Sequence, residues 1–379
     1  MAITGILDIG NVKLAKRGYI PVINAMACPL LKTLRAVSPP STNPFLALTQ
    51  AGSYNNIDDP WSFDVSDGPY ADWMYYIADN TPLSSLSIPG THNSMTYNMD
   101  NYFLEGQNAP LDKQLAGGIR YIDITCLPVG DKLMVYHGLL ETGYSLEDAL
   151  TVVYDFLYQH PREAVILRLQ RSTSLEKTQV FTDLLRKYLS SETPIGSRAA
   201  QYVYHRGGAE TTTLPTLGEI RGKLFILQDF DSKPKGVFGL PWSSSLISSY
   251  HCKIGLGKLL VRVKWFVLRN YIGSLSGKSP KKLYITDITV SFGSKPIDVA
   301  VGDRADAGIN SYLGSYLEAV TMNQLGDFIL NGKRARIGVI SMDFPGHKLV
   351  EQILKFNKIY QVMPLAAPAT LSITRKLQV

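Results

Sequence analysis

Short apolar runs alternate with helix-like periodicities along most of this chain. Leu86, Ser87 and Ile88 read as a short buried strand. Pro89 and Gly90 should stop it, because proline cannot donate to a ladder and glycine takes unusual dihedrals. Residues 118–126 read as a second strand, with Tyr121, Asp123 and Thr125 on one face by alternation. Residues 132–136 are a third, ending at His137. Ser145, with Asp148 three residues on, caps a helix through residue 158 whose Leu146, Leu150, Val153, Phe156 and Leu157 recur at helical spacing. The alternation continues with strands at 164–169, 224–227, 283–285 and 338–342. Helices are expected over 174–190, 310–330 and 349–356, with shorter ones at 73–78 and 111–116.

Short apolar strands alternating with helices imply an α/β fold with a parallel sheet. About eight strands over residues 71–365 make a (β/α)8 barrel of the TIM type, regular or irregular, the natural architecture. Residues 1–70 lack the pattern and read as an N-terminal extension, and 366–379 as a C-terminal tail.

Composition narrows the partners. The 379 residues are 45% hydrophobic and 18% charged, with a net charge of +6. That balance favours an anionic partner, a lipid surface or phosphate. The sequence has no zinc-finger spacing and no RNA-recognition signature, so nucleic acid is not expected. Three widely spaced cysteines, at 28, 126 and 252, give neither a disulfide framework nor a metal motif. No apolar run reaches eighteen residues, and the first residues lack the features of a signal peptide. A cytoplasmic or peripheral membrane location is the expectation; the oligomeric state is open.

The chemistry gathers at strand ends. His92 follows the first strand, Asp123 lies on the second and His137 ends the third. Two imidazoles brought together offer a general base and a general acid near neutral pH. The ordered pieces IPGTHNS, GIRYIDI, VYHG and AVILRL resemble the X domain of the phosphatidylinositol-specific phospholipase C family, most clearly over residues 80–175.

The resemblance implies a phosphodiesterase that needs no cofactor. In it the inositol 2-hydroxyl attacks the neighbouring phosphorus to give a cyclic inositol phosphate. His92 matches the general base and His137 the general acid. Asp343, at the end of the last strand, is placed to fix the tautomer of the base. The phosphate-binding positions depart from the family. Metal-independent members carry Asp-Ile-Arg where this chain has Asp123-Ile124-Thr125, and calcium-dependent members carry Glu-x-Asp there. Two solutions stay open: a weak calcium site from Asn93 and Asp123, or the guanidinium of Arg168, which shares a face with Gln170. Asp123 alternatively orients His137 or a water. Asp229 and Asp287 are the candidates for sugar hydroxyls, with Thr289 where relatives carry an aromatic, so the headgroup need not be plain inositol.

Between Lys253 and Lys282 lie eight basic residues and no acid, interleaved with Leu259, Leu260, Val261, Trp265, Phe266 and Leu268. Such a surface suits contact with anionic lipid, and a solvated helix face would look the same. A phospholipid at a membrane surface is the expected partner. Two other readings remain: a barrel enzyme of the sphingomyelinase D or glycerophosphodiesterase type, and a catalytically weak lipid-binding protein.

Overall fold

The computed structural model describes residues 59–361, apart from 100–102, 173–177, 206–211, 253–259, 290–293, 303–306, 324–328, 331–332 and 335. Its sheet is a ring of parallel strands: β1 (Ile88–Thr91), β2 (Tyr121–Val129), β5 (Ala164–Arg171), β6 (Lys223–Asp229), β7 (Leu240–Pro241), β8 (Ile247–His251), β9 (Leu283–Asp287) and β12 (Val339–Met342). They lie side by side in chain order, and β12 pairs with β1. The ring has one seam: among the described residues, β7 and β8 are not hydrogen-bonded to each other. β7 is only two residues long, and no helix separates it from β6 or β8. The barrel is therefore irregular.

The other connections are helical. α1 (Leu111–Ala116) leads into β2, and α2 (Leu146–Gln159) into β5. α3 (Thr178–Leu189), α4 (Pro194–Tyr202) and α5 (Leu217–Ile220) precede β6, and α6 (Val261–Ser274) joins β8 to β9. α7 (Pro296–Ala300), α8 (Ile309–Asn323) and a separate hairpin of β10 (Ile329–Leu330) and β11 (Lys333–Arg334) precede β12; α9 (His347–Lys355) follows it. α2 starts as read from sequence: Ser145 accepts from the Asp148 N–H, and Asp148 bonds back to the Ser145 N–H.

Alternation along the strands sorts the side chains. Outward-facing Ile122, Ile124, Val165, Leu167, Ile340 and Met342 join one cluster with helical Leu150, Val153, Leu185 and Ile353. Inward-facing Tyr121, Ile166, Phe225, Ile285 and Val339 form a second cluster inside the barrel. Toward the strand C-termini the inward positions turn polar: Asp123 and Thr125 on β2, Arg168 and Gln170 on β5, Ser341 on β12. An apolar floor thus carries a polar mouth. Below the floor, Arg120 and Glu163 form a fully buried pair, 2.8 Å apart. Arg120 also donates to the carbonyls of Leu115, Ile119 and Ala71, so the arginine of GIRYIDI is a scaffold residue.

Several sequence expectations change. Pro89 and Gly90 lie within β1 rather than after it. The Arg120 N–H bonds to the Pro89 carbonyl, and a Cβ at Gly90 would come within 2.7 Å of the Tyr121 ring. Strand 132–136 is not a barrel strand. It is β3 (Lys132–His137), antiparallel to the outer part of β2 and followed by antiparallel β4 (Leu140–Ser145). The expected helix at 73–78 is a 3₁₀ turn, Trp73–Tyr76, and that over 310–330 ends at Asn323. The extension does not run to residue 70. Trp61 and Val65 are in the core, and Asp64 accepts from the His347 main chain at 2.9 Å. Residues 1–58, the tail at 366–379, and Lys253, Lys258 and Leu259 of the basic stretch lie outside the described residues.

Candidate active site

Register delivers the first two groups. Thr91 of β1 is paired with Met342 of β12, so the next residues, His92 and Asp343, emerge side by side. The His92 N–H bonds to the Met342 carbonyl at 2.9 Å, and His92 Nδ1 lies 3.1 Å from Asp343 Oδ1. The turn beyond is tied down. Asn93 has a left-handed φ of 44°, Ser94 Oγ accepts from the Asp123 N–H at 2.9 Å, and Gln107 donates to the carbonyls of both His92 and Met342. Asn93 Nδ2 lies 3.1 Å from His92 Nε2 and donates to it when the ring is neutral with its proton on Nδ1.

His137 arrives differently. β2 overshoots the barrel and β3 folds back along it, which returns His137 to the mouth at the end of an antiparallel strand. Its Nδ1–H donates to the Leu104 carbonyl at 2.6 Å, leaving Nε2 as the basic nitrogen. The two imidazoles face one another perpendicularly, with ring centroids 6.2 Å apart.

Their protonation is opposed. Burial alone would depress His92, but the charge and hydrogen bond of Asp343, with the charges of Asp287 and Asp123, lift it to about 9. Burial and the neighbouring His92 charge push His137 down to about 4. One proton is therefore held by the pair across neutral pH, and in this arrangement it rests on His92. Asp343 is 1% exposed, and burial raises its pKa against the pull of His92.

Asp123, read from sequence as a calcium ligand or as orienting His137 or a water, has its closest partners on β5. Gln170 Nε2 donates to its Oδ1 at 2.7 Å, and Arg168 Nη1 lies 3.8 Å from its Oδ2. His137 is oriented by the Leu104 main chain instead. These placements do not make a calcium site. Gln170 presents its amide N–H to Asp123, and the nearest charge to Asp123 on β5 is a cation. Arg168 is itself committed: it donates twice to Asp229 Oδ2, at 2.6 and 3.0 Å, and lies 4.0 Å over the Trp242 ring. As a phosphate ligand it would have to share that charge with two carboxylates.

Among the polar strand ends opens a pocket of about 360 Å³, including its solvent-filled mouth. Arg168, Trp242, Tyr250, His251, Asp287 and Ser341 are among its walls. Asp287 Oδ2 is 2.8 Å from His251 Nδ1, and its Oδ1 accepts from the N–H and hydroxyl of Thr289 at 2.9 and 2.5 Å. Burial opposes ionisation of Asp287, but these bonds and the charges of His251 and His92 hold its pKa well below the usual range. Asp229 and Asp287, named together from sequence, thus have different partners, Arg168 and His251. Trp242 and His251 were not read from sequence. Trp242 follows a two-residue strand, and His251 ends a strand reading Ile-Ser-Ser-Tyr-His, without an apolar run.

Comparisons with known proteins point to one family. Residues 80–229 match the family described as phosphatidylinositol-specific phospholipase C, X domain. The chain is 28% identical over 328 residues to a 1-phosphatidylinositol phosphodiesterase of Listeria monocytogenes, covering 82% of this chain and 91% of that one. It is 21% identical over 316 residues to the protein of that description from Staphylococcus aureus, covering 76% and 94%. The solved phosphatidylinositol-specific phospholipase C from Listeria monocytogenes superposes with a TM-score of 0.59 at 26% identity, covering 76% of this chain and 98% of that one.

Proposed function

We propose, from the premise that this chain belongs to the phosphatidylinositol-specific phospholipase C family, that it is a phosphodiesterase cleaving phosphatidylinositol or a close relative. The observation that carries the reading is the pair His92–Asp343 facing His137 at the mouth of the barrel. The inositol 2-hydroxyl would bond to phosphorus as the diacylglycerol oxygen leaves. One imidazole takes the hydroxyl proton and the other supplies a proton to the leaving oxygen. The nucleophile is already tethered beside the phosphorus, so little entropy is lost in the step. The polyol would occupy the pocket of Asp287, His251 and Trp242.

Two assignments of the histidines are distinguished by the proton. In the first, His92 is the base and His137 the acid, as the family resemblance implies, and the diester anion must draw the proton toward His137. In the second the roles are exchanged. The raised pKa of His92 and the lowered pKa of His137 favour the second. An inositol phosphate ester with a nitrophenol leaving group decides between them, because such a group departs without protonation. Alanine at the general acid should retain most of the rate on that substrate, and alanine at the base should not.

Turnover of phosphatidylinositol vesicles tests the reading as a whole. Release of cyclic inositol phosphate by wild type, lost in His92→Ala and unchanged by chelator, is expected. A wild-type protein that binds the vesicles and releases nothing would sink it. No helix among the described residues is long and apolar enough to cross a membrane. We read the approach to lipid as running through the rim, where Leu139, in the turn after His137, and Arg262, Val263 and Phe266 of α6 are exposed.

A further inference from the structure

Lys264 belongs to the basic stretch read from sequence as either a lipid-facing or a solvated surface, yet only 2% of it is exposed. It turns inward from α6 and donates to two main-chain carbonyls, Cys252 at 2.8 Å and Thr289. Cys252 directly follows His251 at the end of β8, and Thr289 lies two residues beyond Asp287 at the end of β9.

A buried ammonium is costly, and an apolar side chain of similar length would fill a helix–strand gap at less cost. Packing therefore does not explain a lysine here. The seam supplies a reason. β8 is paired along one edge with β9, and among the described residues no strand flanks its other edge. A strand held on one side needs another anchor if its last side chain is to keep a fixed position. Lys264 ties the ends of β8 and β9 together from behind. The His251–Asp287 contact lies one residue before the anchored Cys252 carbonyl and two before that of Thr289. Burial pulls the Lys264 pKa down, and the charges of Asp287 and Asp343 only partly offset it, with no ion pair to Lys264 among the described residues.

We propose that Lys264 is a positioning residue of the headgroup pocket, fixing the His251–Asp287 pair through the main chain at the ends of β8 and β9. The inference rests on the reading that this pocket takes the headgroup, and it assigns Lys264 no contact with the reacting atoms.

Lys264→Met removes the donors at nearly constant volume, and Lys264→Gln keeps a neutral donor. The readouts are KM and kcat on phosphatidylinositol in mixed micelles, the ring signals of His251 by NMR, and Tm. KM should rise about tenfold, the effect of weakening one charged hydrogen bond between the misplaced His251–Asp287 pair and the headgroup, with kcat little changed. The His251 signals should move, and Lys264→Gln should fall between Lys264→Met and wild type. Unmoved His251 signals with unchanged KM, however far Tm falls, would overturn the proposal and leave Lys264 a helix-docking residue. Should Lys264→Met not fold, Lys264→Gln is read by the same two measures. A wild-type protein inactive on phosphatidylinositol would defeat the phosphodiesterase reading, and the His251 signals would still decide the role of Lys264.

Discussion

Three carboxylates act on His92, and Asp343 is the one that touches it. The pH dependence of kcat/KM should be bell-shaped, with limbs near the His137 value of about 4 and the His92 value of about 9. Asp343→Asn should bring the alkaline limb down and lower kcat about a thousandfold or more, as loss of the orienting carboxylate does in hydrolase triads. The raised His92 pKa is also a stability term. It is fully present below the unfolded imidazole value and is lost as pH rises through the folded value. Denaturant titrations at pH 7 and pH 10 should therefore show a smaller alkaline loss for Asp343→Asn than for wild type. Unperturbed limbs near the ordinary imidazole value would contradict this account. Much of the residue scale was legible in sequence, because His92, Asp123 and His137 sit in short ordered motifs and Arg168 and Asp343 on apolar strands. What escaped was set by neighbours far along the chain. Whether Arg168 is available for phosphate depends on Asp229, which lies 61 residues away. That Lys264 is buried depends on the ends of β8 and β9.

The elements owe their order to a few buried contacts. Arg120 and Glu163 join the starts of β2 and β5 beneath the barrel, with Phe156 of α2 stacked 4.5 Å from the guanidinium. Arg120→Ala leaves a buried carboxylate without its partner and should cost about 3–5 kcal/mol of unfolding free energy by urea titration. Activity per folded molecule should be unchanged, since the pair lies at the far end of the strands from the mouth. A residual activity that falls more steeply than the folded fraction would place Arg120 in the site after all. Strands with a continuous apolar run, such as β5 and β12, could be read directly. β7 and β8 could not, because one is too short and the other too polar to show a period. β3 was found as a strand but misplaced, since an apolar alternation does not say whether its partner is parallel or antiparallel.

At the scale of the whole molecule, one face of α6 looks outward with Val263 48% and Phe266 65% exposed, beside Arg262. Replacing Val263 and Phe266 together by aspartate should weaken binding to anionic vesicles about tenfold or more in a sedimentation assay. Cleavage of a water-soluble inositol phosphodiester should stay the same, and equal loss on both substrates would show that α6 acts on the pocket instead. The seam has a consequence of its own. A barrel closed by ladders all round can widen only by breaking hydrogen bonds, whereas this one has Trp242 just after one lip of a slit and His251 on the other. The lips are tied through the turn between them, where the Ser244 N–H meets the Pro241 carbonyl and the Ile247 N–H the Ser244 carbonyl. Spreading them to admit a bulkier polyol would cost those bonds and side-chain contacts rather than a whole ladder, so the size limit of the pocket is set by what spans the opening and not by the barrel's girth.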